Sequence, residues 1–287
     1  MQANFLAVVL LPLALAIIMM GLGLSLRVED FKRVLIFPKA VLIGLVCQMI
    51  LLPTICYFIA VGFNLSPELA VGLMLLSASP GGPTANLYSH IAKGDVALNV
   101  TLTALNSLIS VFSITIIVNF AMASFMQTDQ VVPLQFKKVF EVCLVVLGPV
   151  SIGMLIRSKA SSLAERLSSP VKIISALFLV LVIVMTILKE KAHIVQDFKL
   201  VGIPTLILNV LSLGIGYFVP HLFQLGKAQA IAIGMEIGIH NGTLAIFIAL
   251  TVIGNSAMST PAVIYSLIMF FTAALFGYLV NLKKENN

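Results

Sequence analysis

From Val96 to Met126 the sequence contains no Asp, Glu, Lys or Arg, and runs of this kind recur along the whole chain. A helix needs about 20 apolar residues to cross roughly 30 Å of hydrocarbon, where its backbone polar groups must be satisfied within the protein. Runs of this length therefore predict membrane-spanning helices. They fall at about 3–25, 37–63, 67–92, 96–126, 137–156, 170–188, 200–223, 228–253 and 260–282, so the expected fold is all-α and polytopic with about nine transmembrane helices. Composition agrees: 60% of residues are hydrophobic and 10% charged, whereas soluble domains carry about 25% charged residues. A soluble fold is excluded. The first run lacks a basic n-region and an Ala-x-Ala site and is longer than a signal-peptide core, so it is read as a mature span. Cys47, Cys56 and Cys143 sit inside apolar runs without metal-ligand spacing and are read as small packing residues.

The net charge of +6 is spread over short clusters between the spans, a pattern of topology and not of nucleic-acid binding. Basic loops are retained in the cytoplasm. With the N-terminus outside, Arg27, Lys32, Arg33, Lys39, Lys93, Arg157, Lys159, Arg166, Lys172, Lys227, Lys283 and Lys284 fall on the cytoplasmic side, and Lys137, Lys138, Lys189, Lys191 and Lys199 on the outer side. The bias predicts a multi-pass protein of the cell (inner) membrane, N-terminus out and C-terminus in. No polar stretch is long enough for a separate domain, so residues 1–287 are expected to form one membrane unit.

Two spans are interrupted, at Pro80 to Asn86 and at Glu236 to Gly242. In the third span Pro80, Gly81, Gly82 and Pro83 stand in succession; two prolines each delete a backbone donor and paired glycines relax the chain, so no straight helix survives. Broken backbone at membrane depth persists only where it is buried in protein or lines a wet cavity. The eighth span holds Glu236, a carboxylate deep in an otherwise uncharged segment. An acidic residue at a helix centre costs about 2.5 kcal/mol or more, so it is protonated, neutralised or functional. His240, Asn241, Gly242 and Thr243 add polar groups beside it. The similarity of the two interruptions suggests an inverted internal repeat.

Further oxygens come from neighbouring spans. Asn99, Thr103, Asn106 and Ser107 lie three or four residues apart and share one helical face. Thr101 and Ser107 read as interhelical glue. Gln48, the large polar residue of the second span, is either glue or a ligand. Asp95 is placed to cap the fourth span; Glu68, Glu141 and histidines 90, 193 and 221 lie near membrane boundaries. The combination describes a carrier in which half-helix N-termini attract an anion while freed carbonyls and side-chain oxygens hold a hard cation. Thr84, Asn241, Gly242 and Thr243 flank the breaks and are the candidate substrate contacts. Among rivals, a channel could also line a pore with Asn, Thr and Glu, but paired broken helices favour an occluded site. A membrane enzyme using Glu236 and His240 would lack a nucleophile, metal triad or phosphate loop.

PGGPTAN at 80–86, AKGDVALN at 92–99 with Thr103, MEIGIHNG at 235–242 and MGLGLSLRVEDFKRV at 20–34 resemble the bile acid:sodium symporter family along nearly the whole chain. The resemblance implies a sodium-coupled symporter importing a small organic anion, such as a bile-salt-like or keto/hydroxy acid, by alternating access. It also implies a panel domain (about 3–25 and 137–188), a core domain (about 37–126 and 200–253) with two crossing broken helices, a last helix at 260–282, and the nine-helix form lacking the first helix of ten-helix members. One sodium site would use Asn86, Asn99, Thr103 and Glu236; a second would use Gln48, Glu236, the carbonyls of Ile237 and Ile239, and His240. The implied partners are one or two Na+ ions, the organic anion and the lipid bilayer, with no nucleic acid and no obligatory protein partner.

The sequence departs from the family pattern at several of these positions. Ala85 stands where a serine is frequent, Asn99 replaces a serine but keeps an oxygen, and His240 replaces the usual glutamine. Met269 and Phe270 occupy the place of a His-Asn pair found in bile-acid carriers. Two sodium ions, an ionised Glu236 and a monovalent anion sum to zero charge. A protonated His240 could stand in for one cation, which implies fewer sodium ions or acid-favoured uptake; a neutral His240 would only hydrogen-bond nearby backbone.

Overall fold

The computed structural model describes residues 11–126, 136–189 and 194–282, and among these the chain is helical with no strand. α1 (Leu11–Ser25) ends at a bend of 74° into α2 (Val28–Lys32), which continues as a 3-10 turn to Leu35. Asp30 fixes the bend: its carboxylate accepts the Arg27 N–H at 2.7 Å and meets Arg33 at 3.1 Å.

α3 (Pro38–Gly62) passes through a π turn at Cys47–Leu51. Pro53 explains it, since a proline inside a helix withholds a donor and crowds the preceding turn, and a widened turn absorbs both. Gln48 sits in that turn. α4 (Pro67–Ala78) and α5 (Pro83–Ile91) are the halves of the third span, and α6 (Val96–Phe125) follows, capped by Asp95 Oδ1 accepting the Leu98 N–H at 3.0 Å. α7 (Phe136–Lys159), α8 (Ser161–Lys189) and α9 (Ile194–Leu222) are long helices that tolerate internal prolines. α10 (Lys227–Gly238) and α11 (Gly242–Phe247) are the halves of the eighth span; α11 runs on through a π turn to Ile253 and stops at Gly254, whose φ of 82° is left-handed. α12 (Thr260–Leu282) closes the described chain.

Both breaks are shorter than the sequence suggests. The first spans Ser79–Gly82, because Pro83 starts α5 from the first helical position, where its missing N–H costs nothing. Thr84, Ala85 and Asn86 are therefore helical. The second spans Ile239–Asn241, with Glu236 still in the last turn of α10.

Among the described residues five helices are long and apolar enough to cross a membrane: Pro38–Gly62, Val96–Phe125, Phe198–Leu222, Lys227–Ile253 and Ala257–Leu282, with a sixth if the bent pair α1 and α2 is one span. The surface is apolar, with Leu222 80% and Phe271 79% exposed, while Gln48, Asn99, Thr103, Asn106, Asn209 and Glu236 are fully buried. A polar interior under an apolar exterior suits lipid and not water. α1 packs chiefly on α7 and α8; α3, α4, α6, α9, α10 and α12 form the other group of mutual neighbours. Close approach needs small residues. A Cβ at Gly153 of α7 would lie 2.5 Å from the Met20 carbonyl of α1, and one at Gly216 of α9 would lie 2.5 Å from Gly234 Cα of α10.

Candidate functional site

The two breaks touch. The Asn241 N–H donates to the Pro80 carbonyl at 2.8 Å, and His240 Nδ1 lies 2.7 Å from the Ser79 carbonyl. Backbone groups freed in one break thus partner groups of the other, which removes the penalty of leaving them bare in a low-dielectric interior. Gly81 lets the chain pass directly over Glu236, since a Cβ there would fall 2.6 Å from the carboxyl carbon.

Glu236 is fully buried, and both of its oxygens accept hydrogen bonds from α6: Thr103 Oγ1 reaches Oε2 at 2.5 Å and Asn106 Nδ2 reaches Oε1 at 3.0 Å. Asn86 Oδ1 stands 3.4 Å from the same Thr103 hydroxyl. Asn99 donates from Nδ2 to the Ala232 carbonyl at 2.6 Å, while its Oδ1, like Asn106 Oδ1, is buried with no partner among the described residues. Asn86, Thr103 and Glu236 of the first expected sodium site thus come together where α5, α6 and α10 join, and Asn99, one turn before Thr103 on α6, is bonded to α10 at Ala232. Their carboxylate, amide and hydroxyl oxygens are the hard donors that suit a hard cation.

Gln48 faces the first break. Its Nε2 is 3.1 Å from both the Ser77 and Ser79 carbonyls, and its Oε1 is buried without a partner among the described residues. Ile237 closes the last turn of α10 and Ile239 is extended in the break. His240 shares the Ser79 carbonyl with Gln48; its ring lies 5.2 Å from that of Tyr265, and Nε2 is buried with no partner among the described residues. The Ser79 carbonyl can only accept, so Nδ1 carries a proton in either charge state of the ring. Among the described residues no group of three His, Cys, Asp or Glu side chains assembles as a metal site.

Beside the breaks opens a cavity of about 670 Å³ lined by Thr84, Asn86, His240, Asn241, Gly242 and Thr243, with Met269 and Phe270 on the α12 side and Ile18 and Gly21 on the α1 side. All four candidate substrate contacts border it. Asn241 Oδ1 is committed to capping α11 through the Leu244 N–H at 3.0 Å. His90 also borders the cavity, beyond its expected interfacial role.

Some polar residues act otherwise than their sequence pattern suggests. Thr101 and Ser107 bond carbonyls of their own helix, at Ala97 and Thr103, and among the described residues form no bond to another helix. Asn106 belongs with Glu236, a role its place on the α6 polar face permits but does not assign. Asn209 and Tyr265 both donate to the Gly238 carbonyl at 2.9 Å, stabilising the end of α10. A lone Asn and a lone Tyr in apolar spans were the available signals.

An apolar exterior, a buried carboxylate among oxygen donors and two broken helices meeting beside a cavity define a multi-pass membrane protein of the secondary-transporter kind. The chain belongs to the Sodium Bile acid symporter family, which it matches over residues 12–197. It is similar to the uncharacterized sodium-dependent transporter YocS of Bacillus subtilis (strain 168), at 26% identity over 88% of this chain and 77% of the relative. It is also similar to the probable chloroplastic sodium/metabolite cotransporter BASS2 of Oryza sativa subsp. japonica, at 27% identity over 89% of this chain and 60% of that protein. The human ileal sodium/bile acid cotransporter is 25% identical over 98% of this chain and 82% of its own length. These are transporters and not enzymes.

Proposed function

We propose that this protein is a sodium-coupled symporter that imports a small organic anion by alternating access. The reading is carried by Glu236, whose buried charge needs a counter-charge and whose neighbours Asn86, Asn99 and Thr103 complete an oxygen shell. Sodium, as co-transported ion, sits at that shell. Gln48, Glu236, the Ile237 and Ile239 carbonyls and His240 form the second position, where a ring nitrogen replaces an oxygen and weakens the hold on a hard cation. Coupling therefore rests mainly on the first site, with the anion in the adjoining cavity against Thr84, Asn241, Gly242 and Thr243.

In this account the chain crosses the cell membrane nine times, N-terminus out and C-terminus in. α1, α7 and α8 form the panel, and the remaining helices form a core built on inverted repeats. The chief packing of α1 on α7 and α8 supports that division, and α12 joins the core through α4, α9 and α11. Relative movement of panel and core exposes the cavity, which borders both, to each side in turn. His240 favours a second reading, a proton-coupled or sodium-independent anion carrier. Uptake of organic anions into proteoliposomes separates the two: the first reading expects uptake that requires an inward sodium gradient, the second uptake that follows a pH gradient or neither.

A further inference from the structure

A second cavity, of about 520 Å³, opens between α5, α10 and α12. Of its lining residues only Tyr88 also borders the transport cavity, so the two are separate sites. Its edge is exposed at Ile91 and Leu282, on the apolar surface that faces lipid.

The groove is apolar along its wall and basic at one end. Ala274 and Gly277 keep the α12 wall low, with Met235 of α10 behind them. A Cβ at Gly277 would meet Ala92 Cβ at 3.2 Å and Met235 Cε at 3.5 Å, so a larger side chain would fill the space. Lys93 and Tyr278 stand at the other boundary of the groove. Lys93 is exposed, and among the described residues it forms no ion pair. The nearest carboxylate in the chain, Asp95, caps α6 instead. The end of a helix normally repels an anion through its free carbonyls, but those at the end of α5 are occupied. Ala92 accepts from Asn281 Nδ2 at 2.9 Å, His90 from the Lys93 N–H at 3.1 Å and Ser89 from the Gly94 N–H at 2.7 Å. A positive charge is therefore left at the mouth of an apolar groove.

We propose that this groove seats an acidic phospholipid, with the phosphate on Lys93 and one acyl chain laid along Ala274 and Gly277. Basic pockets between membrane helices hold anionic headgroups in this way, and a tyrosine such as Tyr278 suits the same headgroup level. A zwitterionic lipid brings its own cation to Lys93 and gains less. Because α5 and α10 are halves of the two broken spans, a lipid held between them and α12 braces the transport site from outside. The inference goes beyond the carrier reading and does not depend on sodium.

The test is native mass spectrometry of purified full-length protein in neutral detergent, titrated with phosphatidylglycerol or phosphatidylcholine of identical acyl chains. The expected result is one tightly retained phosphatidylglycerol, bound on the order of fivefold more tightly than phosphatidylcholine, the gain one lysine contributes against an anionic lipid. Lys93→Gln, an exposed change that leaves the groove open, should bring the ratio to near unity. Lys93→Arg should retain it, and Gly277→Leu should weaken retention of both lipids by filling the groove. Equal binding of the two lipids by the wild type, or a preference unchanged in Lys93→Gln, would overturn the proposal. Displacement of the lipid by an equal concentration of glycerol 3-phosphate would assign the site to a soluble phosphate ester, and a dimer formed in place of lipid binding would assign it to a second copy of the chain; either overturns it. If Gly277→Leu does not fold, the wild-type, Lys93→Gln and Lys93→Arg ratios still decide.

Discussion

The Asn241 N–H donates to the Pro80 carbonyl at 2.8 Å, so the centre of one broken helix is a hydrogen-bond partner for the centre of the other. Neither break is satisfied alone. The same Asn241 caps α11 with its side chain, making one residue responsible for both the junction and the restart of the helix.

Asn241→Ala keeps the backbone bond to Pro80 but removes the cap. A lost N-cap costs about 1 kcal/mol, and the expected outcome is a lowered melting temperature together with weaker anion binding. An unchanged melting temperature would show that α11 is held by packing alone.

Gly81→Ala places a methyl group 2.6 Å from the Glu236 carboxyl carbon. Because the carboxylate is pinned by Thr103 and Asn106, it cannot withdraw freely. Overpacking of this kind costs about 1–3 kcal/mol, and sodium titrations should show at least a several-fold loss of apparent affinity.

Asn106→Leu removes the donor to Glu236 Oε1 while retaining bulk. Hydrogen bonds to charged groups contribute about 1.5–3 kcal/mol, so stability without sodium should fall by that order. Thermal denaturation of the two proteins in sodium-free buffer provides the measurement.

Asn209→Leu and Tyr265→Phe each remove one of two donors to the Gly238 carbonyl. Either change alone leaves one bond and should cost about 1 kcal/mol; together they bare the carbonyl, so the double variant should lose more than the sum. A double-mutant cycle on denaturation reads the coupling directly.

Much of this site is legible in the sequence because membranes punish irregularity. Pro80, Gly81, Gly82 and Pro83 announce a break, Glu236 announces a cost, and the spacing of Asn99, Thr103 and Asn106 announces a face. Their meeting point is less legible. The length of the first break depends on whether Pro83 ends or begins a helix, and the sequence permits both. The partnership of Asn106 with Glu236, and of Asn209 and Tyr265 with Gly238, arises only when helices remote in the chain pack together. Thr101 shows the limit in the other direction: a hydroxyl that looks available for a neighbour is spent on Ala97 of its own helix.

The central claim is that Glu236 is the charge sodium neutralises. Thermal stability of purified wild type and Glu236→Gln, each titrated with NaCl against KCl at constant ionic strength, tests it most directly. The account predicts a saturable, sodium-specific stabilisation in the wild type that disappears in the variant. An equal sodium response in both proteins would contradict it.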